Sequence, residues 1–329
     1  LAYLEIKEIE ELFLFLEGLD NSKFQQLFDE IAHENLYDWY NKEFGGEMVW
    51  LIDSMCRTVT FSSSKELSAI FGLAVISSFI EKCYSFDKGI MEIVNSLLKH
   101  TKTKVNYGAK VTSIEFGGSK FLTIENEETE SQKKINGPII STIPAPELAN
   151  IIDDKSLSRA LKKVDYMGCG LVAFETDEKV FGGKLGAIFP KEKVSAAFDS
   201  TARFGRNTGI EEVIIALIPF KGEGELNYPK LAIKSLREFD PEFETKIRST
   251  TVVEWDLGLP ICSPKLFDIQ KEIFNSTPKG LFVVGDFMGL PSLDASIETT
   301  LACATSVEKH RSVSYTHLRA HETSLHLVC

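Results

Sequence analysis

The sequence predicts an α/β chain, mixed α+β in detail, built as two interleaved domains. Three observations carry that reading. Residues before position 100 hold apolar side chains at helical spacing, while 138–143 and 281–284 are short continuous apolar runs of the kind that form strands buried on both faces. Between those runs lies a β-rich stretch, 166–220. Helices, strands, a larger sheet, then a strand and a helix again is the order of two domains whose segments alternate along the chain. The 329 residues suffice for roughly two domains with cores of their own.

Residues 22–44 place Phe24, Leu27, Phe28 and Ile31 three and four apart, with Asn21 or Ser22 as cap and Gly45 as stop, and predict one helix. Residues 66–80 predict a more apolar helix. Asp87 caps a third, on which Ile90, Ile93, Val94, Leu97 and Leu98 form one apolar stripe. The pattern then changes to short strands over 104–107, 110–116 and 121–125, separated by the turn signals Tyr107-Gly108 and Gly117-Gly118. The run 138–143, closed by Pro144, reads as a buried parallel strand and leads into a short helix over 145–152. Strands of the larger sheet follow over 167–175, 185–189, 194–198 and 213–220, then a helix over 231–239 and a strand over 251–255. A buried strand, 281–284, and a helix, 293–310, with Ile297, Leu301, Ala304 and Val307 on one side, complete the pattern.

Composition narrows the function. With 43% hydrophobic and 26% charged residues the chain reads as an ordinary soluble globular protein, and its net charge of −12 argues against a nucleic-acid or anionic-membrane partner. Six cysteines (56, 83, 169, 262, 303, 329) form no CxxC pair, so neither a disulfide framework nor a zinc knuckle is suggested; buried thiols in a reducing compartment account for them. No apolar run approaches the roughly 18 residues of a membrane span. The chain starts at Leu1 within helical sequence, so a segment carrying any targeting signal is expected upstream, and the location, cytoplasmic or peripheral-membrane, is left open by its absence here. Residues 313–329 hold His317, His321, His326 and Cys329, yet this tail resembles translated sequencing-adapter read-through, and no metal site is expected there.

The stretch GLFVVGDFMGLPSLDASIETT, residues 280–300, is where chemistry concentrates. A buried strand ending in Gly285-Asp286 puts a carboxylate at the carboxyl end of a sheet, where open α/β sheets bind ligands. Gly285 lets a ligand approach the backbone, and Asp286 accepts hydrogen bonds from hydroxyls. The helix starting near Ser292 turns its free N–H groups toward the same crevice. Together these suit a sugar-like chain joined to an electron-accepting ring; on pattern alone, a loop acid beside an ordinary helix cap remains the other reading. Gly168-Cys169-Gly170 with Ala173 formally fits GxGxxA, but the following LVAFET is strand-like, so it is no phosphate loop, and no GxGxxG opening a helix occurs.

The 280–300 stretch, followed by the small-residue helix LACATSV, resembles the carboxyl-terminal flavin motif of the FAD-dependent amine oxidase, protoporphyrinogen oxidase and phytoene desaturase superfamily. VNYGAKVTSIEF, centred on Val111, resembles that family's strand whose valine backbone meets the adenine. PIISTIPAP, with Thr142, resembles its strand returning to the dinucleotide domain; Trp255 in VVEWDLGLP resembles its tryptophan near the flavin. YSFDKGIMEIVNSLL resembles the helix ahead of the adenine strand. Where the family has Glu-Gly-Ala and Ser-Gly in the last helix, this chain has Asp294-Ala295-Ser296 and Thr299-Thr300.

The resemblance implies an incomplete FAD-binding Rossmann-like domain (85–150 and 269–312) interleaved with a substrate domain (helices in 1–84, sheet in 151–268). It implies that Asp286, after Gly285, holds the ribityl hydroxyls of FAD and that the backbone around Ser296 and Ile297 faces the flavin pyrimidine. The family's GxGxxG unit is expected upstream of Leu1, and without it the fragment is expected to be inactive. Some amine oxidases attach flavin through a cysteine just past the tryptophan; Cys262 in WDLGLPICSP lacks the glycines of that motif and reads as a core or loop thiol. The implied activity is hydride transfer from a C–H or C–N bond of a small apolar substrate to flavin N5, protoporphyrinogen oxidase- or desaturase-like, with no general base assigned. Two alternatives stand beside it: a flavin amine oxidase acting on an amine, and a non-catalytic binding protein of the same fold, like the Rab GDP-dissociation inhibitors.

Overall fold

The computed structural model of the chain describes residues 7–18, 21–79, 86, 89–126, 129–182, 184–190, 192–200, 212–222 and 226–312. Two compact units form, one from the described residues of 1–103 and 166–259, the other from those of 104–165 and from Pro260 onward. The strands are β1 (Lys110–Phe116), β2 (Lys120–Glu125), β3 (Glu130–Ile135), β4 (Ile139–Ser141), β5 (Tyr166–Thr176), β6 (Gly186–Ile188), β7 (Ala196–Asp199), β8 (Glu212–Phe220), β9 (Ile247–Pro260) and β10 (Leu281–Val283). The tail at 313–329, with its three histidines and Cys329, and the residues Tyr84 and Asp87 lie outside the described residues.

In the first unit the helix Ala69–Ser77 is apolar all round and buried along its length, the pattern of a helix at the centre of a helical group. The single helix expected over 22–44 is two, Asn21–Ile31 and Leu36–Phe44. Asn35 between them takes an extended backbone, and its side chain accepts the Asp38 N–H at 2.8 Å, which starts a new helix. Gly45, at φ 89°, ends it in the left-handed region, as the sequence predicts. The apolar stripe expected near 90–98 forms on the helix Met91–His100, but it is not core: no residue of that helix is buried, and Leu97 is 60% exposed. Residues 104–107, expected as a strand, have no regular structure before the Tyr107-Gly108 turn.

The same unit holds a five-stranded sheet in the order β6-β7-β8-β5-β9. In β8 every second residue, Glu212, Ile214, Ala216 and Ile218, is buried, the two-residue period of a strand with one covered face. The helix Tyr228–Leu236 lays Tyr228, Ala232 and Leu236 over that face, and Phe174 meets Phe243 edge-on with ring centroids 5.2 Å apart. Gly168 and Gly170 are strand glycines on β5: a Cβ at 168 would strike the Phe220 ring, and one at 170 the Tyr228 ring. Their GxGxxA spacing therefore reflects aromatic packing, not a phosphate loop.

The second unit has a three-stranded antiparallel sheet, β1-β2-β3, and a parallel pair, β10-β4. The sequence gives little sign of β3, because its residues Glu130–Lys134 are all exposed and polar. β4 and β10, distant in the chain, pair in register as Ile139 with Leu281, Ile140 with Phe282 and Ser141 with Val283. Helices Ala145–Ile151, Lys155–Leu161 and Leu266–Ser276 pack beside one another, and Ile114 of β1 bridges to Ile152.

Candidate functional site

Parallel pairing makes β4 and β10 end side by side. Val284 donates its N–H to the Ser141 carbonyl at 3.0 Å, so Thr142 leaves one strand and Gly285-Asp286 the other at the same carboxyl edge. Thr142 is exposed there. Gly285 has φ 145° and ψ 178°, a region closed to residues with a side chain, and an added Cβ would lie 3.2 Å from Cε1 of the buried Phe287 ring. The sharp turn it allows continues as one 3₁₀ turn, Asp286–Met288.

Asp286 is half-buried. Its Oδ1 accepts the Phe287 N–H at 2.8 Å. Burial pushes its carboxyl above the usual range, and the Phe287 N–H draws it partly back. A carboxylate in that position gains from every further donor a ligand brings.

Three contacts fix the turn from outside. The Gln270 side-chain amide, on the helix Leu266–Ser276, donates to the carbonyls of Phe287 (3.1 Å) and Gly289 (2.8 Å). Thr299 Oγ1 accepts the Gly285 N–H at 3.2 Å while donating to the Ala295 carbonyl at 2.7 Å. Gly289 passes so close to the last helix that a Cβ on it would lie 2.9 Å from that of Ala295. The Thr299 side chain, standing where the resemblance places serine, is thus turned onto the Gly285 backbone. Neither Gln270 nor the role of Thr299 was legible in the sequence: the helix carrying Gln270 has only an amphipathic signal, and both contacts join residues 14 or more apart.

The helix Leu293–Ser312 starts beyond this turn. Ser292 Oγ caps it by accepting the Ala295 N–H at 3.0 Å. The Ser296 N–H is already spent on the Ser292 carbonyl at 3.3 Å. The N–H groups that precede any acceptor within the helix belong to Leu293 and Asp294. The Ile297 side chain is 48% exposed.

Val111 stands on β1 of the antiparallel sheet, opposite Ile124, at a register shift between Val111 and Ser113. Such bulges re-aim the backbone. Trp255 belongs to the other unit, on edge strand β9, 48% exposed. On the sheet of that unit the Tyr228 hydroxyl is pushed up to about 12 by burial and by the nearby Glu254 and Asp256 carboxylates. Cys262 is wholly buried, in line with a core thiol. A pocket of about 410 Å³ lined by Lys120, Pro138, Gly280 and Phe282 opens at the amino ends of β4 and β10, away from Asp286.

Residues 3–236 match the model of a family described as flavin containing amine oxidoreductase. No curated protein matches the sequence. Several solved structures share the fold. A protein described as a protoporphyrinogen oxidase from Exiguobacterium sp. 255-15 is 12% identical, with a TM-score of 0.64 over 84% of this chain and 67% of its own. A double mutant of putrescine oxidase, made to redesign cofactor binding, is 9% identical, with a TM-score of 0.68 over 94% of this chain and 77% of its own. Cyclohexylamine oxidase from Brevibacterium oxydans IH-35A is 10% identical, with a TM-score of 0.64 over 95% and 76%.

Proposed function

The chain belongs to the flavin containing amine oxidoreductase family, and from that premise we propose that it forms part of an FAD-dependent oxidoreductase whose cofactor lies across the carboxyl edge of β4 and β10. One observation carries the reading: the joint end of the two parallel strands brings Thr142, the glycine-only backbone of Gly285 and the half-buried Asp286 carboxylate to one edge, with a helix start just beyond. The donor set fits a flavin dinucleotide. Gly285 presents bare backbone, Asp286 accepts hydroxyls such as those of a ribityl chain, and the Leu293 and Asp294 amides favour a polar, partly negative ring edge. Val111, Trp255 and the backbone around Ser296 and Ile297 remain assigned to the cofactor by resemblance.

When bound, the flavin supplies the two-electron chemistry, taking a hydride from a C–H or C–N bond of the substrate. The chain's own share is to bind, orient and keep water from the reacting face. Its Asp286 anchors the linker, and a correctly seated linker fixes the ring. A small apolar substrate is the first reading. The family's description, and amine oxidases among the structural neighbours, favour an amine donor as the second.

The test is titration of the full-length protein with FAD, followed by quenching of flavin fluorescence, for the unaltered protein and for Asp286→Ala. The reading expects saturable binding that Asp286→Ala weakens about tenfold or more, the effect of a lost charge-assisted hydrogen bond. Absence of saturable binding, or equal binding by both, overturns it.

A further inference from the structure

We propose that Gln270 and Thr299 are positioning residues for the flavin acid: together they lock the turn 285–289 so that Asp286 offers its carboxylate at the sheet edge in one orientation. The inference rests on the reading of Asp286 as the ligand acid and adds what makes that acid competent.

The chain itself gives this turn little to hold it. Gly285 sits in a backbone region open to glycine alone, the 3₁₀ turn that follows is three residues long, and short 3₁₀ turns have poor hydrogen-bond geometry. Within the turn, Met288 donates to the Gly285 carbonyl at 3.1 Å and Gly289 to the Asp286 carbonyl at 3.3 Å, both at the long end of the range. Rigidity must therefore come from outside, and two side chains supply it from opposite ends. Gln270 spans the carbonyls of Phe287 and Gly289 with one amide group, which fixes the exit of the turn. Thr299 takes the Gly285 N–H, which fixes its start, and its donation to Ala295 ties that start to the first turns of the last helix. Asp286 lies between the two clamps. Its Oδ1 is occupied by the Phe287 N–H, so the direction left to Oδ2 is set by the backbone that Gln270 and Thr299 hold. Both clamps reach the ligand acid through backbone atoms, and neither needs to touch the flavin.

The experiment has two arms on the full chain, using Gln270→Met, which keeps length and loses both donors, Thr299→Val, which keeps shape and loses the hydroxyl, and Thr299→Ser, which restores it. In the flavin-free arm, hydrogen exchange of the peptide containing 285–289 is expected to quicken about tenfold in Gln270→Met and Thr299→Val and to stay slow in Thr299→Ser, with circular dichroism unchanged. In the flavin arm, FAD binding is expected to weaken about five- to tenfold in the first two variants, the effect of one lost hydrogen bond, and to recover in Thr299→Ser. If Asp286→Ala loses FAD while exchange and FAD binding of Gln270→Met and Thr299→Val match the unaltered chain, the positioning role is overturned and the site reading stands. If Asp286→Ala binds FAD normally, the site reading falls and the positioning role with it, whatever the exchange arm shows. Should Gln270→Met fail to fold, the Thr299→Val and Thr299→Ser pair decides alone.

Discussion

Replacing Gly285 with alanine tests the turn at its most constrained point. At φ 145° and ψ 178° an L-residue is strained by about 1–3 kcal/mol. The new Cβ would also press on Phe287, whose ring is 1% exposed and cannot swing away: Cε1 would lie at 3.2 Å and Cδ1 at 3.5 Å. Against this, alanine restricts the unfolded chain and returns about 0.4–1 kcal/mol. The balance is a loss of about 1–2 kcal/mol. With a urea dependence of about 1–3 kcal/mol per molar, the midpoint should fall by roughly 0.5–1 M. Unfolding followed by far-UV circular dichroism, together with exchange of the 285–289 amides, measures it. A midpoint and exchange rates equal to those of the unaltered chain would refute the glycine requirement and the rigid turn built on it.

Three further outcomes follow from the first unit. Phe174→Ala empties a fully buried ring position against Phe243 and should destabilise by about 3–5 kcal/mol; a loss below ~1 kcal/mol in chemical denaturation contradicts the packing described. Gly170→Ala drives a methyl group into the Tyr228 ring and should cost about 1–3 kcal/mol, whereas a phosphate-loop glycine would leave the melting temperature unmoved and weaken nucleotide binding instead. Glu212 is 2% exposed; burial, then the Asp199 carboxylate on the neighbouring strand, raise its carboxyl, opposed by the Val180 and Phe181 N–H groups and Lys179. A raised folded value gives a contribution complete below the unfolded value of about 4.3 and lost as pH rises through the folded one. Glu212→Gln does not titrate, so its stability relative to the unaltered chain should improve as pH rises above about 4 and level off once the folded carboxyl has ionised; parallel pH profiles would exclude this.

The strands of the larger sheet were legible because their burial follows a two-residue period, most clearly at Glu212, Ile214, Ala216 and Ile218. Continuous apolar runs marked β4 and β10 as strands but overstated their burial: Ile140 is 47% exposed, and on β10 only Leu281 is buried. What periodicity hides is local chemistry that interrupts it. Asn35 splits a continuous helical pattern by capping, and polar β3 is paired by its neighbour β2 without any apolar signal of its own. At the site, Gly285 and Asp286 were readable as a strand-end motif, and Thr142 as the end of a second strand. Their meeting at one edge depends on a parallel pairing across some 140 residues, which no local pattern contains. Gln270 and Thr299 were invisible for a related reason: each acts on backbone atoms of a distant turn, so its identity leaves no periodic trace.

The most direct test of the account is the affinity of the full-length protein for FAD, measured by fluorescence quenching with and without the Asp286 carboxylate. Saturable binding, weakened about tenfold or more in Asp286→Ala with secondary structure intact, is the predicted result. Equal affinity in the two proteins would contradict it.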